Sequence, residues 1–412
     1  MQFRHGAAAL ALAAGCIAGN ALAQSIKIAY IDPLSGAFAN VGEAGAAQFQ
    51  MVIEDINAKG GVLGGRKLEL VKFDNKTSPQ ESLIQFKAVT DQGIRYITQG
   101  NGSSVAGVLI DAVNKWNERN PDKTVLFLNY AAVDPDFTND KCSFWHFRFD
   151  ANSDMKMQAL TSFIAKKPAI KKVYLFNQDY QFGKQVSRAA NEMLAKKRPD
   201  IKIVGDEFIG LGKVKDFAPY VAKIKATGAD TVITGNWGND LTLFVKAARE
   251  AGLKSDFYTY YGGGLGTPAA LGASAEGKVK QITEWHMNIP NTPILPFAQE
   301  FKKRTKIDLY YGRVNVQMRM FAAALNSAGS DDPAKVATAL EGMFLSTEIG
   351  DVEMRKDDHQ LLQNLYISTF TKVDGKNPKF DLEGTGFGFK TDVELQRKET
   401  ALPTTCKMKR PA

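Results

Sequence analysis

IKIAYIDPL (26–34), AGAAQFQMVIEDINAKGG (44–61) and KLELVKF (67–73) together decide the fold. The first stretch is apolar and β-branched and runs into a Gly-containing loop, which reads as a strand. The second carries Phe49, Val52, Ile53 and Ile56 at i, i+3, i+4 and i+7, one face of a helix, and stops at Gly60-Gly61. The third reads as a second strand. Two strands joined through a helix pair in parallel, by a right-handed crossover.

The rhythm continues outward from there. A helix is predicted over 79–92, a short strand over 96–100, a helix over 104–119 and a buried strand over 124–130. It restarts after residue 150, with strands at 172–177, 201–209, 230–235 and 256–261. The intervening helices are 181–197, one whose face carries Phe217, Tyr220, Val221 and Ile224, and one whose face carries Leu241, Phe244, Val245 and Ala248. Two such series predict an α/β protein of two Rossmann-like lobes, each built on an open parallel sheet. The last third differs, with helices near 294–305, 312–328 and 332–343 and strand-like runs at 350–355 and 364–373. It completes the two lobes by crossing back between them. The crossings read as short extended segments near 144–149 and 280–288, a hinge beside a cleft.

Residues 1–23 read as a secretory signal peptide. Arg4 and His5 precede the apolar run from Gly6 to Ile17, and Ala21-Leu22-Ala23 supplies the small residues of a cleavage site before Gln24. Gly15-Cys16 leaves lipidation open as an alternative. Cleavage leaves two cysteines, Cys142 and Cys406, and an even pair in an oxidising compartment predicts a disulfide. The formal charge of +8 is spread among mixed acids and bases, so no nucleic-acid partner is expected. Catalytic motifs are not found. His146, His286 and His359 stand singly, without metal spacing. Gly102-Ser103-Ser104-Val105-Ala106 lacks the last glycine of a nucleophile elbow. No enzyme activity, metal or cofactor is expected.

The candidate binding residues lie at the C-terminal ends of strands, where open α/β sheets bind ligands. Gly100-Asn101-Gly102-Ser103-Ser104 precedes a helix, and its hydroxyls and free N–H groups suit a carboxylate. Taken alone, it reads first as an ordinary helix cap after a tight turn. Small residues at Asn129-Tyr130-Ala131-Ala132-Val133-Asp134 let the backbone face a cleft. Tyr180, Phe182, Trp237, Tyr260 and Tyr261 end successive strands of the second half, as ligand caps or as packing.

The block from 26 to 74, together with NQDYQFGK (177–184), AREAGLKSDFY (248–258) and RKDDHQLLQNLYI (355–367), resembles the periplasmic leucine/isoleucine/valine-binding proteins. These are the substrate-binding components of ABC importers. The resemblance implies a type I periplasmic binding protein with a three-segment hinge that closes on a solute. The expected boundaries are 24–147 plus about 286–348 for the first lobe, 148–285 plus about 349–395 for the second, and 396–412 as a tail. It implies that Ser103, Ser104 and the backbone at Ala131 and Val133 hold the ligand carboxylate. Val133 stands where the family often has threonine. Phe38, Tyr180, Phe182, Trp237 and Tyr261 are the implied caps. Amino-acid binders usually place an acid at the position of Tyr261, as partner to the ligand ammonium. Either Asp134, Asp179 or Asp240 replaces it, or the ligand has no ammonium. The second reading is preferred: a small carboxylate, aromatic or another organic acid, delivered to a membrane permease by a monomeric receptor. A branched-chain amino acid is the alternative ligand, and a periplasmic sensor the alternative role.

Overall fold

In the first lobe, β1 (Ile26–Asp32), α1 (Ala39–Ala58), β2 (Leu68–Asp74), α2 (Pro79–Asp91), β3 (Tyr96–Gln99), α3 (Ser103–Arg119), β4 (Leu126–Asn129) and β5 (His146–Arg148) follow one another in a computed structural model that describes residues 24–411. The signal-peptide reading of residues 1–23 and the lipidation reading of Cys16 lie outside the described residues. The strands form one parallel sheet in the order β2-β1-β3-β4-β5. Every residue of β3 and β4 is buried, as expected of central strands covered by helices on both faces. The predicted α1 stripe, Phe49, Val52, Ile53 and Ile56, is buried in the core.

The second lobe contains α4 (Ser153–Ala165), β6 (Lys172–Gln178), α5 (Gln181–Lys197), β7 (Lys202–Ile209), α6 (Ala218–Thr227), β8 (Thr231–Thr234), α7 (Gly238–Glu250), β9 (Asp256–Thr259), α8 (Thr267–Leu271) and β10 (Val279–Thr283). After it come α9 (Leu295–Thr305), α10 (Gly312–Ala328), α11 (Pro333–Leu340), β11 (Phe344–Thr347), β12 (Gly350–Met354), β13 (Leu361–Leu362), β14 (Leu365–Lys372), β15 (Phe387–Leu395) and α12 (Arg397–Thr400). The second sheet runs β15-β14-β10-β9-β8-β6-β7, with all pairs parallel except those that β14 makes with β10 and β15. No described helix is long and apolar enough to cross a membrane.

Three expectations need correction. The segment 144–149 contains β5, the edge strand of the first sheet, so the first crossing begins after Arg148. The segment 280–288 begins inside β10, which pairs with both β9 and β14, so the second crossing starts only after Thr283. The expected boundary at 348–349 falls within a hairpin. There β12 pairs with β11 and β13 in a small separate sheet, and Gln360 bridges to Arg148 beside the first sheet. The chain rejoins the second sheet only at Leu365.

Three chain crossings lie side by side. The Gln360 amide donates to Asp150 O at 2.8 Å and the Gln363 amide to Phe149 O at 3.4 Å, tying the third crossing to the first. Cys142 and Cys406 are disulfide-bonded, with Cα atoms 5.7 Å apart across a sequence separation of 264. The bond fixes the tail after α12 to the loop before β5.

Candidate functional site

The cleft between the lobes encloses about 1090 Å³ of space, its mouth included. Its first wall is set by the ends of β1, β3 and β4. Asp32, fully buried at the end of β1, accepts from the N–H of Asn101 at 2.9 Å and of Gly100 at 3.2 Å, and from the Tyr130 hydroxyl at 2.8 Å. Burial pushes its carboxyl up to about 7, against these hydrogen bonds. The clamp holds the loop ahead of α3. Gly102 caps that helix at φ +102°, a conformation that favours glycine. The N–H groups of Gly102, Ser103 and Ser104 have no acceptor among the described residues, and they stand at the positive end of a 17-residue helix. Ser103 is 2% exposed and lines the cleft; its Oγ has no hydrogen bond to a described residue.

Ser104 is not among the lining residues. Ser103 takes the position facing the cleft, and sequence alone could not decide which of two adjacent helical serines would do so. Ala131 and Val133 both line the cleft. The Ala131 and Ala132 amides are engaged by the Asn129 side chain at 3.1 and 2.8 Å, so of the three cleft-lining residues here only Val133 has an amide without a described partner.

The second-lobe wall carries Tyr180, Phe182, Trp237 and Tyr261, all lining the cleft. The Trp237 indole N–H donates to the Tyr180 hydroxyl at 2.8 Å, which fixes both rings. Phe182 packs edge-on to Tyr260 at 5.7 Å and lies 6.0 Å from Tyr261. Phe38 is not a lining residue. It sits behind the wall, its ring 4.4 Å from that of Trp237 and across the gap between the lobes. Gly238, at φ +57°, follows Trp237, and a Cβ there would come within 2.8 Å of Phe38. Glycine thus lets the two lobes meet at this contact.

The third wall is at the hinge and was not anticipated. Arg313, in the first turn of α10, is 2% exposed and lines the cleft. Its Nη1 donates to Glu284 Oε1 at 2.8 Å, and its Nε lies 3.5 Å from Asp150 Oδ2. Lys156 Nζ reaches the same Asp150 oxygen at 2.8 Å. The four charges balance, from both lobes and two crossings. Arg313 Nη2 donates to no described residue, and the buried Nε makes no hydrogen bond either, Asp150 Oδ2 lying 3.5 Å away. Its guanidinium lies over the Tyr311 ring at 4.8 Å and the Tyr310 ring at 5.8 Å. The hydroxyls of Tyr261, Tyr310 and Tyr311 likewise have no hydrogen-bond partner among the described residues, and burial pushes all three up, so they remain neutral. Gln48 fixes this wall by accepting from Tyr311 N–H at 3.2 Å and donating to Asn315 at 3.1 Å. A sequence signal for Arg313 existed: a cation in the first turn of a helix opposes the dipole and calls for a local acidic partner.

The acids near the cleft are engaged. Asp308 pairs with Lys302 at 2.7 Å and accepts from Glu383 N–H at 2.7 Å. Glu383 accepts from the N–H groups of Gly266 and Ala269. His286 is held near 3 by burial and is uncharged. Of the substitute acids, Asp134 faces the Asp136 amide, Asp179 pairs with Lys184 at 3.3 Å, and Asp240 accepts from Gln178 at 2.7 Å. None of the three is among the described residues lining the cleft.

The chain matches the family model described as periplasmic binding protein over residues 25–376. It is 33% identical to the Leu/Ile/Val-binding protein homolog 4 of Brucella melitensis, over 98% of this chain and 97% of that protein. The closed leucine-, isoleucine-, valine-, threonine- and alanine-binding protein of Brucella ovis superposes with a TM-score of 0.83 at 32% identity, over 94% of this chain and 100% of that one. A Rhodopseudomonas palustris solute-binding protein solved with benzoate superposes at 0.76 over 93% and 99% of the two chains, and at 18% identity it shows a shared fold alone.

Proposed function

Because the chain belongs to the periplasmic binding proteins that serve ABC importers, with the two-lobed type I fold, we propose that it captures a small organic acid without an ammonium group and delivers it to a membrane permease. One observation carries the choice of ligand. Every carboxylate in or near the cleft is already matched by a cation or by backbone N–H groups, while donors stand ready on two walls. An ammonium in that space would have to draw a carboxylate away from its present partners, at a cost of several kcal/mol, roughly. A carboxylate has the Gly102–Ser104 amides, the Ser103 hydroxyl and the α3 dipole to receive it. Tyr180, Phe182, Trp237 and Tyr261 then supply flat apolar surface, which suits an aromatic ring.

Capture proceeds by closure. The lobes approach around the three crossings, Phe38 meets Trp237, and contacts from both sides hold the acid. The closed pair presents a joined surface to the permease. No covalent step is needed, and a monomer suffices. With the signal peptide read at residues 1–23, the proposed place of work of the mature chain is the periplasm.

A second reading rests on the Brucella ovis protein, which binds leucine, isoleucine, valine, threonine and alanine and is 32% identical. It makes a branched-chain amino acid the alternative ligand. A thermal-shift panel separates them. Aromatic and short aliphatic acids raise Tm by several degrees and leucine, isoleucine and valine do not; the opposite ranking removes the ammonium-free reading.

A further inference from the structure

Arg313 is almost wholly buried, yet one arm of its guanidinium is left over. Nη1 is bound to Glu284 and Nε faces Asp150, while Nη2 has no described partner and the residue lines the cleft. Three tyrosines whose hydroxyls have no described partner, Tyr261, Tyr310 and Tyr311, line the same part of the cleft. The Tyr310 and Tyr311 rings lie under the guanidinium, and Tyr261 lies under Lys156 at 5.4 Å. None of these four atoms is sealed from solvent, so they face the open space of a ligand cleft, where a ligand atom can complete their hydrogen bonds.

We propose that this wall is a second ligand subsite, which selects acids carrying a neutral oxygen acceptor, a hydroxyl or carbonyl, in addition to the carboxylate. The inference rests on the reading that an ammonium-free acid is bound with its carboxylate at the Gly102–Ser104 amides. Charge balance sets the class of the second group. Lys156 and Arg313 are already matched by Asp150 and Glu284. A second carboxylate here would be a buried anion without its own counter-charge, which is costly. A hydroxyl or carbonyl oxygen accepts from Nη2 with no such cost, and the phenols complete its hydrogen bonds. A site built to hydrogen-bond a hydroxyl discriminates against the analogue that lacks it more strongly than an apolar pocket rejects an extra methylene.

The test is calorimetric titration of the ligand-stripped protein with benzoate, 3- and 4-hydroxybenzoate and 1,4-benzenedicarboxylate. At least one hydroxybenzoate binds tenfold or more tighter than benzoate, and the dicarboxylate binds more weakly than that hydroxybenzoate. Arg313→Lys keeps the charge toward Glu284 but removes the second arm, and it collapses the hydroxybenzoate-to-benzoate ratio toward one. Tyr310→Phe, which keeps the whole ion quartet, lowers the same ratio and serves if Arg313→Lys fails to fold. Equal affinity for benzoate and both hydroxybenzoates, or tightest binding of the dicarboxylate, overturns the second subsite and leaves the proposed ligand class standing. A ratio unchanged in both variants also overturns it. Binding of leucine with no response to any of the acids overturns the ligand class and the subsite together.

Discussion

Arg313 in the first turn of α10 and Glu284 at the end of β10 meet 2.8 Å apart, both essentially without solvent exposure. The pair joins helix α10 to the second crossing, and Asp150 joins it to the first. Burial alone would raise the Glu284 carboxyl, but the Arg313 and Lys156 charges outweigh it and hold that carboxyl below its usual value. The hinge is therefore held by charges whose balance is met inside the protein.

Removing one member should be costly. Glu284→Gln leaves two buried cations facing Asp150 alone, and loss of one partner of a buried pair costs about 3–5 kcal/mol. A denaturant titration should show that loss near neutral pH. Because the folded carboxyl is depressed, the stabilisation is present above the unfolded carboxyl range and is lost as pH falls through the folded value. The difference between wild type and variant should accordingly narrow in strong acid.

Asp32 behaves in the opposite sense. Its folded carboxyl is raised to about 7, so the folded state binds a proton that the unfolded chain has already released above about 4. The resulting penalty is absent below the unfolded value, grows as pH rises through the interval and is complete above 7. Asp32→Asn removes it. Relative to wild type, the variant should gain stability between pH 5 and pH 8, by on the order of 3 kcal/mol at most. Melting curves across that range check the sign; a difference independent of pH would assign the clamp a purely neutral role.

The two adjacent serines should separate in a binding assay. Ser103 lines the cleft and Ser104 does not. Ser103→Ala removes one hydroxyl contact to the carboxylate, worth about 1–2 kcal/mol and therefore roughly a tenfold weaker Kd. Ser104→Ala should change Kd less than threefold, and both variants should melt within a few degrees of wild type.

Much of this arrangement was legible in the residues. The stripe Phe49, Val52, Ile53, Ile56 and the buried runs of β3 and β4 gave the parallel sheets, because periodicity reports which faces are covered. Glycine and serine after β3 and aromatic residues after β6, β8 and β9 marked the mouth, since strand ends converge there in this topology. β5 was read as a crossing because its three residues are too short to show a period. β12 was misplaced because a strand's own sequence does not name its partner, and its hairpin with β11 settles the pairing. Arg313, Tyr310 and Tyr311 were missed because they reach the cleft only through the return crossing. No local motif links them to Glu284 or Asp150, which lie 29 and 163 positions away in the chain.

The central claim is that the cleft receives a carboxylate and offers no unengaged acid to an ammonium. Matched ligands test it most directly: 4-methylpentanoate against leucine, and 3-phenylpropanoate against phenylalanine, each pair differing only in the amino group. Calorimetric titration of the ligand-stripped protein should give the acid of at least one pair a Kd tenfold or more below that of its amino counterpart. Tighter binding of leucine or phenylalanine than of its deaminated partner would contradict the account.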